Sequence, residues 1–317
     1  MKTVINTPAG NVGRVVTDQL LQAKEEVVII SRNPGKVTDF LSRGAFMVEG
    51  SIDDPIVLDR ALKGADTLYW ANPGTLRQDY DEWSVQTARL AADAVKHNEV
   101  KRVVVLSSFG AQHGPGAGPL GVLLAVETAF KAAAPNVTIL RPGIFMEDFV
   151  TLPGVLNQID SIAAMGTIFG PFHPAKKFPM VAVRDIGEKA TEVLRDGRWR
   201  GFRIIGVHGP EDLDLERAAQ IISEGIGRPV KYVEVSLDRV KQGMLDAGMP
   251  SSLVSYILNL YAELAAGRCD PAEARSPETT TKTSLLEFTR QFIKPAVEAA
   301  VLRRQVPSPS TGLQSRT

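Results

Sequence analysis

The 317-residue chain lacks several features that would place it in other classes of protein. It has one cysteine, Cys269, so it can form neither an internal disulfide nor a multi-thiolate metal site. A single cysteine fits the reducing cytoplasm. The 36 basic and 36 acidic residues cancel, so the chain lacks the general attraction to phosphate backbones that a basic domain has. We therefore expect a cytoplasmic protein that does not bind nucleic acid directly.

Long apolar runs are also missing. No segment approaches the roughly 18 uncharged apolar residues of a membrane span, and Met1-Lys2 leads directly into a short strand and a turn rather than into a signal peptide. The four histidines are scattered without metal-ligand spacing. No Gly-x-Ser-x-Gly sequence for a nucleophilic serine occurs. These absences predict no membrane partner, no metal site and no serine-based hydrolysis.

Short β-branched runs alternate with helical periodicity over the first half of the chain. In the first helical segment, for example, Val12, Val15, Val16 and Leu20 share one face. About six such βα repeats predict an α/β protein with a doubly wound parallel sheet of the Rossmann type. The predicted strands are Thr3–Ile5, Val27–Ile30, Ala45–Val48, Thr67–Trp70, Val103–Leu106, Val137–Leu140 and Phe202–Ile205.

The second half of the chain follows a different pattern. Residues 143–180 are rich in glycine, proline and aromatic residues without clear periodicity, and mostly helical patterns follow from Asp214 onward. We predict a dinucleotide-binding core over residues 1–150, completed by about 183–206. A smaller, mostly helical C-terminal substrate lobe would comprise residues 151–182 and 207–302. Residues 303–317 are polar and rich in proline and serine, which predicts a disordered tail.

The first strand and first helix are joined by Thr7-Pro8-Ala9-Gly10-Asn11-Val12-Gly13. A glycine-containing turn between a strand and a helix directs free N–H groups and the positive helix end at a pyrophosphate. Gly10 would allow the ligand to approach the backbone, and Gly13 would allow the helix to pack closely. Thr7 stands where the usual G-x-x-G-x-x-G pattern has its first glycine. A purely structural turn is the alternative to a binding turn. The predicted binding residues are Thr7, Ala9, Gly10, Asn11, Val12 and Gly13.

The residues after the second strand favour NADP(H) over NAD(H). Ser31 lies 18 positions after Gly13, about where an acidic residue would hold the ribose 2′-hydroxyl of NAD. Arg32 and Lys36 follow instead, and both suit a 2′-phosphate, although they could also be solvated surface cations. Asn72 and Ser107 join the predicted cofactor site because such sheets bind ligands at the carboxyl ends of their strands.

The ordered set of motifs is similar to the NmrA-like group of atypical short-chain dehydrogenases/reductases. The similarity extends over about residues 1–300. It implies a Rossmann-type fold, NADP(H) binding and a substrate pocket between the Phe145 region and the C-terminal lobe. The group includes reductases and redox-sensing regulators that bind the dinucleotide without turnover. The motifs are Ala9-Gly10-Asn11-Val12-Gly13, Ser31-Arg32-Asn33-Pro34, Gly50-Ser51-Ile52-Asp53-Asp54, Val104-Val105-Leu106-Ser107-Ser108, residues 138–148 and Val183-Arg184-Asp185-Ile186-Gly187.

The chain departs from the reductases of this group at the proton relay. Those reductases carry a tyrosine or histidine and, four residues later, a lysine on the helix after the fifth strand, so both lie on one helical face. Leu120 and Leu124 occupy about those positions here, and shifting the alignment by one residue in either direction gives no proton donor either. His97 and Lys101 have the spacing but precede the fifth strand, at the wrong end of the sheet. The usual relay is therefore absent.

Other polar residues near the strand ends are candidates to replace the relay. Ser108 and His113 are the predicted catalytic residues, although a serine can simply complete a turn and a loop histidine can be solvated. Tyr80 is a weaker candidate. The predicted substrate pocket comprises Phe109, Phe145, Glu147, Asp148 and His173.

These observations predict an NADPH-dependent oxidoreductase that reduces a hydrophobic small molecule. A quinone, imine or enone needs less acid catalysis than a simple ketone, so such acceptors tolerate the missing relay. Two alternatives remain: a non-catalytic NADP(H)-binding redox sensor, and a redox-neutral isomerase or dehydratase. A homodimer is compatible with the sequence but is not specified by it.

Overall fold

A seven-stranded parallel sheet forms the centre of the protein in the computed structural model, which describes residues 1–74, 77–151 and 158–305. Its strand order is β10-β6-β5-β4-β1-β2-β3, and every pairing in it is parallel. The predicted doubly wound parallel sheet is confirmed. The strands of the described residues are β1 (Lys2–Ile5), β2 (Glu26–Ser31), β3 (Phe46–Glu49), β4 (Thr67–Ala71), β5 (Arg102–Leu106), β6 (Asn136–Pro142), β7 (Ile144–Phe145), β8 (Thr167–Gly170), β9 (Lys177–Val181), β10 (Gly201–Val207), β11 (Asp212–Asp214) and β12 (Lys231–Glu234).

Helices cover both faces of this sheet. Helices α1, α2 and α8 pack on one face with Ile5 and Tyr69, while α3, α4 and α5 pack on the other with Val4 and Trp70. The central strands are therefore buried on both sides, which explains their continuous apolar sequences. The helices are α1 (Asn11–Gln22), α2 (Thr38–Ser42), α3 (Pro55–Leu62), α4 (Tyr80–His97), α5 (Val122–Lys131), α6 (Asp148–Thr151), α7 (Ile159–Met165), α8 (Val183–Arg195), α9 (Leu215–Ile226), α10 (Leu237–Asp246), α11 (Ser251–Ala265), α12 (Leu285–Phe288) and α13 (Lys294–Gln305).

The segment before α5 differs from its prediction. The apolar pattern of the sequence predicts a helix over Leu120–Ala133, but Ala111–Leu120 forms short 3₁₀ turns and α5 begins at Val122. Pro115 and Pro119 remove backbone donors there, and Gly114 and Gly118 have positive φ angles that interrupt a helix.

The C-terminal lobe has its own apolar core, formed mainly by α7 and α9–α13. Two small sheets, β11-β9-β7 and β12-β8, also belong to it, so residues 143–180 contain regular structure that their sequence did not reveal.

Helix α13 continues to Gln305, so the predicted disordered tail is wrong for residues 303–305, and the remaining tail residues 306–317 lie outside the described residues. In the described part of the chain, no helix is long and apolar enough to cross a membrane.

The topology determines where a ligand can bind. The chain winds outward from β1 to β2 and β3 on one side, and from β4 to β5, β6 and β10 on the other. The loops after β1 and β4 therefore diverge to opposite faces and leave a crevice at the carboxyl ends of these strands, where open α/β sheets bind their ligands.

Candidate functional site

A cavity of about 510 Å³ lies in this crevice. It extends from the turn after β1, past the ends of β2 and β4, to Phe145 in β7. Among the described residues that line it, none is acidic. They are Asn6, Thr7, Pro8, Ala9, Gly10, Asn11, Val12, Gly13, Ile30, Ser31, Arg32, Lys36, Gly50, Ser51, Ile52, Tyr69, Ala71, Asn72, Pro73, Gly74, Trp83, Leu106 and Phe145.

The turn after β1 forms without a glycine at its first position. The N–H of Gly10 donates to the carbonyl of Thr7 at 3.1 Å, and Pro8 occupies the second position of this turn, where its fixed φ is favourable. Because the turn requires no positive φ at Thr7, threonine can replace the usual glycine. Gly13 is more restricted, since a Cβ atom there would lie 1.9 Å from the Thr7 carbonyl oxygen.

The start of α1 is suited to an anion. No side chain caps this helix, and its first residues, Asn11, Val12 and Gly13, line the cavity. The first N–H groups of a helix have no partner within the helix and carry its positive dipole end. A diphosphate in this part of the cavity would supply the missing acceptors.

Arg32 and Lys36 are exposed and line the cavity at the end of β2. Within the described residues, neither side chain forms an ion pair, whereas nearby Arg14 is bound to Asp39 at 2.9 Å. The two cations are thus available to a ligand, and the cavity offers no carboxylate that would repel a phosphate. Their role in holding a 2′-phosphate stays a prediction.

Deeper in the cavity lie two buried polar atoms: Tyr69 Oη, which has no hydrogen-bond partner in the described structure, and Asn72 Nδ2, which lies near the Tyr80 hydroxyl but forms no hydrogen bond of good geometry. The Asn72 Oδ1 atom accepts a hydrogen bond from the Trp70 indole at 3.1 Å, which orients the amide. Burial raises the pKa of the Tyr69 hydroxyl, so it stays protonated and available as a donor. Buried polar groups normally have partners, so these two atoms fit a ligand rich in hydroxyl and amide groups.

The sequence did not identify Tyr69, Trp83 or the Gly50–Ile52 segment as part of the site. Tyr69 lies inside a strand, and Trp83 reaches the cavity from α4, where Asp53 fixes its indole at 2.8 Å. Neither residue belongs to a local motif. Only the pairing of β4 beside β1 brings them to the crevice.

Three residues predicted near the reaction centre do not line this cavity. The Ser107 hydroxyl donates to Glu127 Oε1 at 2.5 Å, inside a buried network, and its contact with a cofactor stays a prediction. His113 is exposed and lies 3.2 Å from the carbonyl of Asp270 in the lobe. Ser108 is half-buried and lines neither this cavity nor the second one.

A second, smaller cavity of about 70 Å³ adjoins the first at Phe145, which lines both. It lies between the core and the lobe, and seven of its 15 lining residues are aromatic. Phe145 and Asp148 were predicted for the substrate pocket, and both are here. The lining residues are Ile144, Phe145, Asp148, Phe149, Gln158, Ile168, Phe169, Gly170, Pro171, Phe172, Phe178, Met180, Leu215, Tyr232 and Tyr261.

The other predicted pocket residues have structural contacts instead. Glu147 accepts the Val183 N–H with both carboxylate oxygens, at 3.1 and 3.0 Å, at the start of α8. Phe109 is buried in the lobe core. His173 is exposed, and its Nδ1 accepts the Ala175 N–H at 3.2 Å. None of these three residues lines either cavity, and their contact with a substrate stays a prediction.

The positions of the missing relay hold apolar side chains in the structure. Leu120 lies in the 3₁₀ segment and Leu124 in α5. Leu120 also lines a third cavity of about 620 Å³, which adjoins the first at Gly74 and includes Tyr80. Among the described residues, no group of three or more histidine, cysteine, aspartate or glutamate side chains could hold a metal ion.

Known proteins similar to this chain include reductases and a transcriptional regulator. Residues 2–288 match the NmrA-like family. An NAD(P)H azoreductase of Xenophilus azovorans is 27% identical over 253 residues, covering 80% of this chain and 84% of the relative. An NADPH-dependent quinone oxidoreductase of Escherichia coli, solved with NADPH, has a TM-score of 0.77 at 19% identity, covering 91% of this chain and 99% of that chain. The negative transcriptional regulator NmrA, solved with NAD, has a TM-score of 0.75 at 17% identity, covering 94% of this chain and 97% of that chain.

Proposed function

The chain belongs to the NmrA-like family, and we propose that it is an NADPH-dependent reductase of a hydrophobic small molecule such as a quinone, imine or enone. The observation that carries this proposal is the acid-free cavity between the turn after β1 and Phe145, with Arg32 and Lys36 unpaired at its rim. The names of an azoreductase and a quinone oxidoreductase among its relatives support the same class of reaction.

The residues of the cavity fit NADP(H). The uncapped start of α1 would hold the diphosphate, and Gly13 keeps the backbone close to it. Arg32 and Lys36 would hold the 2′-phosphate, because charge-assisted hydrogen bonds to phosphate favour cationic side chains. Asn72 Nδ2 and Tyr69 Oη would find partners on the ribose or the carboxamide. When bound, the cofactor supplies a hydride, that is, one proton and two electrons.

The protein itself would contribute binding, orientation and exclusion of water. The second cavity adjoins the inner end of the first and presents aromatic rings, which bury the apolar body of a flat substrate. Leucines stand at the relay positions, so no tyrosine or lysine assists from α5. Loss of a general acid typically costs about 10²- to 10⁴-fold in rate, which an activated acceptor tolerates better than a simple ketone.

Stopped-flow absorbance tests the proposal directly. NADPH bound to the protein is mixed with a panel of quinones, imines, enones and azo compounds, and we expect rapid loss of NADPH absorbance with at least one of them. Tight binding of NADP(H) without oxidation by any compound would contradict the reductase. It would favour the redox sensor, an alternative that the leucines at positions 120 and 124 support. Substrate conversion without net loss of NADPH would favour the isomerase or dehydratase.

Replacing Arg32 with alanine should weaken NADPH binding by about 1–3 kcal/mol, or about 5- to 150-fold, because a charged hydrogen bond to the 2′-phosphate is lost. NADH has no such phosphate, so its affinity should change little. Titration of both cofactors by intrinsic fluorescence measures the two dissociation constants.

Arg43→Ala is the matched control for this variant. Arg43 pairs with Asp18 on the surface and does not line the cavity, so its loss removes the same charge without removing a proposed contact. Equal losses of affinity for NADPH and NADH in Arg32→Ala would contradict the assignment of Arg32.

A further inference from the structure

A single carboxyl group, Asp148, lines the aromatic second cavity beside the inner end of the cofactor cavity. We propose that Asp148 donates the proton that completes the reduction, in place of the missing tyrosine and lysine. This inference rests on the proposed reductase function and assigns one of its reacting groups. No motif or spacing marks Asp148 as a donor.

The position of Asp148 is set by two short elements. It is the first residue of α6 and follows Phe145, the residue that lines both cavities, by three positions. Its side chain is surrounded by protein yet retains some accessible surface, as expected for a group that faces an inner cavity. A substrate group that reached past Phe145 into the second cavity would therefore share this space with Asp148.

The other polar groups of this cavity are mostly engaged. The Tyr232 hydroxyl lies within hydrogen-bond distance of the carbonyls of Gly170 and Phe172, at 2.8 and 2.7 Å. Gln158 is bound to the backbone of Phe169 through both ends of its amide. Tyr261, from α11, differs: its hydroxyl is buried and has no hydrogen-bond partner within the described residues. It faces the same small space as Asp148 and would find a partner in a polar atom of the substrate.

Burial and the neighbouring charge both favour the protonated form of Asp148. Burial is the main cause that raises the pKa of Asp148 to about 7, and the adjacent Glu147 carboxylate adds to this rise. A hydrogen bond from the Phe145 backbone opposes the rise. Among the described residues, no arginine, lysine or histidine lines the cavity, and the titratable groups that line it from other elements are the tyrosines Tyr232 and Tyr261. An acid whose pKa lies near the working pH is suited to donate a proton.

The proposed step balances in atoms and electrons. The hydride from NADPH forms a new bond to the electrophilic atom of the substrate double bond, and NADP⁺ is left oxidised. The π electron pair of that double bond moves to the heteroatom, oxygen or nitrogen, and takes the proton of the Asp148 carboxyl. The resulting carboxylate regains a proton from water before the next turnover.

The substitution Asp148→Asn tests this role, because asparagine keeps the shape of the side chain and removes the titrating proton. For the wild type, kcat/KM should fall as the pH rises above about 7, since the donor loses its proton. The variant should be about 100-fold slower at pH 6, within the range for a lost general acid, and should lack this alkaline decline. Its NADPH affinity should be unchanged. Asp238→Asn, at the exposed start of α10, is the control for removal of an aspartate near a helix start.

The dependence of stability on pH gives a readout that needs no turnover. A buried carboxyl with a raised pKa binds more protons in the folded state than in the unfolded state, so its contribution to the free energy of unfolding falls as the pH rises from about 4 through about 7. We therefore expect Asp148→Asn to gain stability relative to the wild type between pH 5 and pH 8, and Asp238→Asn to show no such change. Urea titrations at both pH values measure the difference.

The outcomes separate the two proposals. If the wild type oxidises NADPH but Asp148→Asn keeps the alkaline decline, Asp148 is not the donor and the reductase proposal stands. A stability difference that is the same at pH 5 and pH 8 also overturns the role of Asp148. If the wild type reduces no compound of the panel, the reductase proposal fails and the donor role fails with it.

Discussion

Replacing Glu127 with alanine is expected to lower the free energy of unfolding by about 3–5 kcal/mol, because it leaves a buried arginine without its main partner. Glu127 lies on α5 and binds Arg141 of β6 through two hydrogen bonds, at 2.9 and 2.6 Å. Both side chains are only 4% exposed. Arg141 also binds Glu273 of the lobe at 2.8 Å, and Ser107 donates to Glu127, so one network connects α5, β5, β6 and the lobe.

The measurement is urea unfolding followed by circular dichroism, with Glu192→Ala as the matched control. Glu192 is also a helical glutamate with a basic partner, Lys189 at 2.9 Å, but its side chain is 69% exposed. Exposed pairs contribute about 0–1 kcal/mol, so this variant should change little. The double variant Glu127→Met with Arg141→Met should recover part of the loss, because neither member of the pair stays buried alone, while Glu273, which loses Arg141, keeps 13% of its side chain exposed. Similar losses for Glu127→Ala and Glu192→Ala would contradict the network's importance.

The sheet could be predicted from the sequence because its signals are local. Strands buried on both faces appear as continuous β-branched runs, and the helices between them show one apolar face. Helix α9 illustrates the local signal: the apolar periodicity of the sequence predicts a helix over Leu215–Ile226, which are its bounds in the structure, and Asp214 caps it by accepting the Arg217 N–H at 2.8 Å.

The lobe was less predictable because its strands depend on distant partners. β7 has two residues, which pair with Met180 and Val181 far along the chain. β8 pairs with β12, which lies beyond α9. Such short segments carry no periodicity of their own, and their pairing arises only when the chain between them has folded.

The candidate site also combines residues in local motifs with residues that only distant contacts bring together. The phosphate turn and Arg32 lie within two local motifs, and the structure places these residues around one cavity. The residues near the proposed reaction centre depend on tertiary contacts. Ser107 was expected to face the ligand, but Glu127 of α5 binds its hydroxyl. Tyr261 comes from α11, and nothing in its own segment indicates that it meets Asp148.

Replacing Gly13 with alanine is expected to lower NADPH affinity by at least about 100-fold. The new Cβ would lie 1.9 Å from the carbonyl oxygen and 2.8 Å from the carbonyl carbon of Thr7, and both atoms belong to the backbone. The turn must therefore move, and the N–H groups at the start of α1 would no longer converge on the diphosphate. Loss of two charged hydrogen bonds, each contributing about 1.5–3 kcal/mol, exceeds a 100-fold change. Forcing this atom into a packed turn should also cost about 1–3 kcal/mol of stability.

Two other glycines separate the steric effect from the effect on the ligand. A Cβ at Gly10 would meet nothing closer than the Thr7 carbonyl oxygen at 3.4 Å, so Gly10→Ala should keep its stability and weaken NADPH binding only, because the new methyl group occupies part of the cavity. Gly243 is exposed within α10 and has no neighbour within 4 Å of the added atom, so Gly243→Ala should bind NADPH normally and unfold at the same or a higher urea concentration. Calorimetric titration with NADPH and urea unfolding distinguish the three variants. If Gly13→Ala bound NADPH as tightly as Gly243→Ala, the turn after β1 could not be the diphosphate site, because its backbone cannot stay in place around that methyl group.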